Sequence, residues 1–195
     1  MSDVAAPLQS IIKRLAGTDI VGPAAKRAQR FTDASDELVV LADCSGSMLD
    51  FIGSQGISKF EHLQIALEDV MLAWPRIKIL AFASTFREIA NAKDLPRAGL
   101  GGGTNLAGAI EYAAKWRPRK TIIISDGLPD SEAEAIAAAQ KITGAVDTIY
   151  CGPDAHPAVA FLRKLSREAA GIHFTWEGGR TSIAQTIRGL LPSPE

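Results

Sequence analysis

The sequence predicts an α/β fold: a doubly wound, mostly parallel central sheet with one antiparallel edge strand and helices on both faces. Three observations carry that expectation. Short apolar runs of strand length, among them Leu38-Val39-Val40-Leu41-Ala42 and Ile122-Ile123-Ile124, alternate with segments of helical period. Strand-helix alternation of this length implies a parallel sheet covered on both sides. Right-handed crossovers then leave few topologies.

The first strand is expected over about 37–43. A helix over about 58–74 follows, where Leu63, Ala66, Leu67, Val70, Met71 and Trp74 mark one face. Ile77 to Phe82 reads as the next strand, and Ala83-Ser84-Thr85 as a hairpin into a short antiparallel edge strand at Phe86-Arg87-Glu88-Ile89. Residues 91–103, with Pro96 and a run of glycines ending at Gly103, read as loop. A helix over about 105–116 leads to a strand over 120–126. Ser131 and Glu134 form a capping-box pattern opening a helix to about Thr143. Strand Val146–Tyr150, a helix over about 157–169, strand Ile172–Thr175 and a helix over about 181–190 complete the alternation. Residues 1–34 stand apart as an N-terminal helical extension, with Leu8, Ile11, Ile12 and Leu15 on one face and a small basic cluster at Lys26, Arg27 and Arg30. The remaining domain is expected over 35–192.

A chain of 195 residues, 47% hydrophobic and 22% charged, suits one globular domain with a short extension. Its formal net charge of -1 offers no general attraction to nucleic acid or to an anionic membrane. The apolar runs fall far short of the roughly 20 residues that cross a bilayer, and Met1-Ser2-Asp3-Val4 lacks a signal-type start. A cytoplasmic protein is the expectation. Cys44 and Cys151 fall at the ends of separate predicted strands; if the strand over 120–126 lies between those, they stand two strand spacings apart, roughly 10 Å, too far for a disulfide, and free thiols are expected. His62, His156 and His173 lack metal-ligand spacing.

Function concentrates in three segments: Asp43-Cys44-Ser45-Gly46-Ser47, Gly103-Thr104-Asn105 and Ser125-Asp126-Gly127. Within them Asp43, Asp126, Ser45, Ser47 and Thr104 offer two carboxylates and three hydroxyls, a hard-oxygen set suited to Mg²⁺, with Mn²⁺ and Ca²⁺ as alternatives, rather than to zinc or copper. Asp43 and Asp126 end strands and should face the crevice where strand order reverses. In an extended loop, Ser45 and Ser47 would point the same way, with Gly46 permitting a tight turn. Asn105 reads as a helix N-cap and Asp130 as a capping residue rather than as ligands.

Asp43-x-Ser45-x-Ser47, then Thr104, then Asp126-Gly127 resemble, in order and strand placement, the metal-ion-dependent adhesion site of von Willebrand factor A (VWA) domains. The likeness covers about residues 36–191. It implies a Rossmann-like VWA fold and a complete metal site in which Ser45 and Ser47 bind the ion directly. Thr104 would bind directly or through water, and Asp43 and Asp126 through water or directly. It further implies a protein partner that supplies a Glu or Asp as the last ligand. Intracellular members serve larger assemblies, including complexes with AAA-type ATPases and stress-response systems. The expected function is therefore a non-catalytic, metal-dependent protein-protein interaction module. The alternative is a Mg²⁺-dependent phosphoryl-transfer or hydrolytic enzyme using the same Asp/Ser/Thr site. Against that alternative, the chain has no Walker-type Gly-Lys-Ser/Thr and no evident general base beside a nucleophile.

Overall fold

The computed structural model describes residues 31–53, 56–97, 101–178 and 182–193. Within them the strands are β1 (Leu38–Asp43), β2 (Lys78–Phe82), β3 (Phe86–Ile89), β4 (Lys120–Ser125), β5 (Ala145–Cys151) and β6 (His173–Trp176). The helices are α1 (Lys59–Ala73), α2 (Leu106–Ala114), α3 (Glu132–Ala139), α4 (Pro157–Glu168) and α5 (Ile183–Leu190). The strands form one sheet in the order β3-β2-β1-β4-β5-β6. Only the β2–β3 pairing is antiparallel, and it places β3 at the edge. This is the expected doubly wound architecture. The expected helical extension falls, through residue 30, outside the described residues.

Alternate side chains of the central strands feed two cores. Val40, Ala42, Ile122 and Ile124 pack with α1 and α5, whereas Val39, Leu41 and Ile123 pack with α2, α3 and α4. Every residue of β1 after Leu38 is therefore buried, and the strand reads as a continuous apolar run. The predicted face of α1 is the buried one, with Leu63, Ala66, Leu67, Val70 and Trp74 inside and Met71 partly covered. Both cysteines are free and buried, with β4 between their strands.

Helix ends differ from the sequence reading where local hydrogen bonding decides. α1 and α5 open with complete capping boxes, Ser58–Glu61 and Ser182–Gln185. At α3 only half of the expected box forms: the Ser131 side chain accepts from the Glu134 N–H. α3 also stops at Ala139, short of Thr143, because Lys141 and Ile142 switch to tighter bonds on the carbonyls of Ala138 and Ala139. The chain must turn there, since Gly144 passes so close to β4's entry that a Cβ would lie 2.0 Å from the Arg119 carbonyl oxygen.

One buried charge belongs to the scaffold. Asp147, on β5, accepts from Lys120 Nζ at 2.6 Å and from the Ile172 N–H at 3.0 Å, tying β4 to the approach to β6. By contrast, the buried hydroxyl of Thr121 has no hydrogen-bond partner among the described residues. Thr121→Val keeps the shape and removes that unmet group. It should stabilise the fold by about 1 kcal/mol, read as a higher denaturant midpoint at unchanged slope.

Candidate metal centre

β1 and β4 lie side by side, but the chain leaves them in opposite directions across the sheet, toward β2 and toward β5. The loops at their C-terminal ends therefore diverge, opening the crevice in which such folds hold ligands. Asp43 is the last residue of β1 and Asp126 immediately follows β4.

Asp43 is fully buried. Its Oδ1 accepts from the Ser45 N–H at 2.8 Å and its Oδ2 from the Ser125 hydroxyl at 2.5 Å. Burial pushes its carboxyl up to about 6, against the lowering effect of those bonds and with a small further push from the Asp126 charge. Ser45 then caps a one-turn 3₁₀ helix over Gly46–Leu49, so the serines do not lie in the extended loop expected. The turn still brings their hydroxyls to 3.2 Å, and Ser47 Oγ donates to Asp126 Oδ1 at 2.7 Å. Asp43, Ser45, Ser47 and Asp126 are thus one cluster, with Ser125 as an added brace.

Thr104 is held through its backbone, by Asp130. Its N–H donates to Asp130 Oδ1 at 2.9 Å, and its carbonyl accepts from the Asp130 N–H at 3.0 Å. Asp130 is therefore a bracket between two loops and not a helix cap, a role that Ser131 fills for α3. Gly103 donates to Ser84 Oγ at 2.6 Å, and Asn105 N to the Ala83 carbonyl, pinning the same loop to the end of β2. Gly103 is required by closeness: a Cβ would stand 2.9 Å from Ser84 Oγ and 3.2 Å from both Asp130 carboxylate oxygens. Among the described residues, no hydrogen bond joins the Thr104 side chain to the other four. Asn105 is the N-cap of α2, its side chain accepting from Gly108 N.

One charged group beside the cluster lies outside the sequence reading. Lys59, the first residue of α1, places Nζ 2.6 Å from Asp126 Oδ2 and 3.3 Å from the Ser47 carbonyl oxygen. Its side chain is 12% exposed and that of Asp126 1%, so this is a largely desolvated ion pair. Spacing could not reveal it, because Lys59 lies twelve residues beyond Ser47 in the sequence.

The donor chemistry fits a hard divalent cation. Among the described residues, no group of three or more His, Cys, Asp or Glu side chains is placed to hold a metal ion. The two carboxylates are instead supplemented by hydroxyls, a set that suits an ion retaining part of its water. Asp43 is a buried carboxylate with no cation bonded to it among the described residues, and Asp126 already attracts an ammonium. Burial, then Asp43, push the Cys44 thiol up to about 12, which removes it as a nucleophile. His62 packs edge-on against Trp176, His156 caps α4 and His173 bonds Thr148.

No family model matches the chain, and no curated protein matches it. Among solved structures it is similar to a von Willebrand factor type A protein from Catenulispora acidiphila, at 18% identity and a TM-score of 0.64. That match covers 80% of this chain and 42% of the other, so the chain spans less than half the length of this neighbour. An uncharacterized membrane spanning protein from Vibrio fischeri also matches, at 17% identity and a TM-score of 0.34 over 80% of this chain and 98% of that one. The first likeness agrees with a VWA-type, Rossmann-like fold. Among the described residues, no helix is long and apolar enough to cross a membrane.

Proposed function

We propose that this chain is a non-catalytic protein-interaction module whose recognition depends on a divalent ion, Mg²⁺ foremost. The carrying observation is the hydrogen-bonded convergence of Asp43, Ser45, Ser47 and Asp126 at the switch point of the sheet. Ser45 and Ser47 would hold the ion through their hydroxyls, Asp43 and Asp126 through water or directly, and Thr104 from its bracketed loop. A bound ion supplies an open, charge-deficient position that a carboxylate from a partner can fill. The partner is accordingly a protein presenting Glu or Asp, in a cytoplasmic assembly of the kind built around AAA-type ATPases or stress responses.

No described imidazole is hydrogen-bonded to the cluster, and the thiol within it is held protonated.

The test compares wild type with the Ser45→Ala/Ser47→Ala double variant, in Mg²⁺ and in EDTA. Calorimetric titration should give Mg²⁺ binding to wild type alone. A partner captured from native lysate should be retained only by wild type in Mg²⁺. Retention that ignores both EDTA and the double substitution overturns the proposal.

A further inference from the structure

We propose that Lys59 is a tethered cation that holds Asp126 in the metal-free protein and must leave it before a divalent ion engages that carboxylate. The inference rests on the metal-dependent reading above and adds to it a built-in competitor. Three observations carry it.

First, the ammonium sits on the cluster itself, bonded to Asp126 Oδ2 and to the Ser47 carbonyl. An ion bridging Asp126 and Ser47 would meet this charge at contact distance, and like charges in a desolvated site repel strongly. Second, helix preference does not explain the lysine. It occupies the first turn of α1, where the helix dipole favours acidic residues such as Glu61 and disfavours a cation. Asp126 is what compensates it.

Third, a second seat is already present. Asp50 Oδ2 lies 3.9 Å from the same Nζ, and its side chain is 73% exposed. The Lys59 N–H donates to the Asp50 carbonyl at 3.0 Å, so the backbones of the two residues are fastened together. The ammonium can therefore swing from the buried carboxylate to the exposed one by side-chain rotation alone. Metal loading becomes an exchange: the ion takes Asp126, and Lys59 moves out to Asp50 and solvent.

The experiment is calorimetric titration of Mn²⁺ into wild type, Lys59→Met and Asp50→Asn, each checked for folding by circular dichroism. Lys59→Met should bind Mn²⁺ about tenfold more tightly, which corresponds to about 1.4 kcal/mol. Asp50→Asn removes the second seat of an exposed pair, and should bind about twofold more weakly. Asp50 is exposed, so this variant keeps the test open should Lys59→Met fail to fold. Equal affinity in all folded variants, or weaker binding in Lys59→Met, overturns the tethered-cation proposal and leaves the metal site standing. Absence of Mn²⁺ binding in all three overturns both.

Discussion

Asp43→Asn should abolish divalent-ion binding and, in EDTA near pH 7.5, make the protein more stable than wild type. The two effects have one cause. Asp43 is fully buried and its carboxyl is pushed up to about 6 from 3.8, so at neutral pH the fold carries a carboxylate that burial disfavours. A shift of about two units corresponds to about 3 kcal/mol of strain on the ionised form. Asparagine has the same shape. Its carbonyl can accept from the Ser45 N–H, and its amide can donate to Ser125 Oγ, so both existing contacts find a counterpart. Most of the 3 kcal/mol should therefore appear as added stability, with the denaturant midpoint rising at unchanged slope. Under the proposed metal-dependent reading the cost falls on ion binding, because an amide would supply no charge to balance the ion. Undiminished metal binding, or a lower midpoint in EDTA, would contradict this account of Asp43. The outcome belongs to a general pattern in which binding sites store instability that substitution can relieve.

Elements set by long patterns were legible in the sequence, and those set by single contacts were not. β1 and β4 announce themselves because burial on both faces demands an unbroken apolar run. The edge strand β3 was readable from the short turn at Ala83-Ser84-Thr85, which leaves no room for a crossover. The end of α3 was not, because it depends on how closely Gly144 must pass the Arg119 carbonyl, a contact between distant segments. In the site, Asp43, Ser45, Ser47 and Asp126 follow from position alone, since strand ends beside the switch point must share one crevice. Ser125 was within reach, being adjacent to Asp126, but its role depends on which face of β4 its hydroxyl leaves. Lys59 was out of reach, because nothing in a helix-opening lysine says that its ammonium returns across a loop to a buried aspartate. Asp130 was misassigned for the same reason: capping chemistry and a bracket on Thr104 draw on the same carboxylate geometry, and only the fold chooses.

The second large effect is a pH dependence opposite in sign to the usual carboxylate behaviour. For Asp43 the folded value, about 6, lies above the ordinary 3.8. Between those values the native protein holds a proton that the unfolded chain has released, so raising pH through this window must lower stability. The contribution is fully present below 3.8 and is lost as pH climbs through about 6, with a total of about 3 kcal/mol. Two histidines act the other way. Burial holds His62 and His173 below the usual imidazole range, so protonation of the unfolded chain lowers stability as pH falls below about 6.5. A single stability curve would therefore mix opposing slopes over the same region. The difference between wild type and Asp43→Asn, measured in EDTA by denaturant titration from pH 4 to pH 8, removes the histidine contribution because both proteins share it. That difference curve should start near zero, open through pH 5 and level off above pH 7 with the variant more stable. A flat difference would mean that Asp43 is ionised without penalty, and the argument that a buried, uncompensated carboxylate waits at this site for a cation would fall with it.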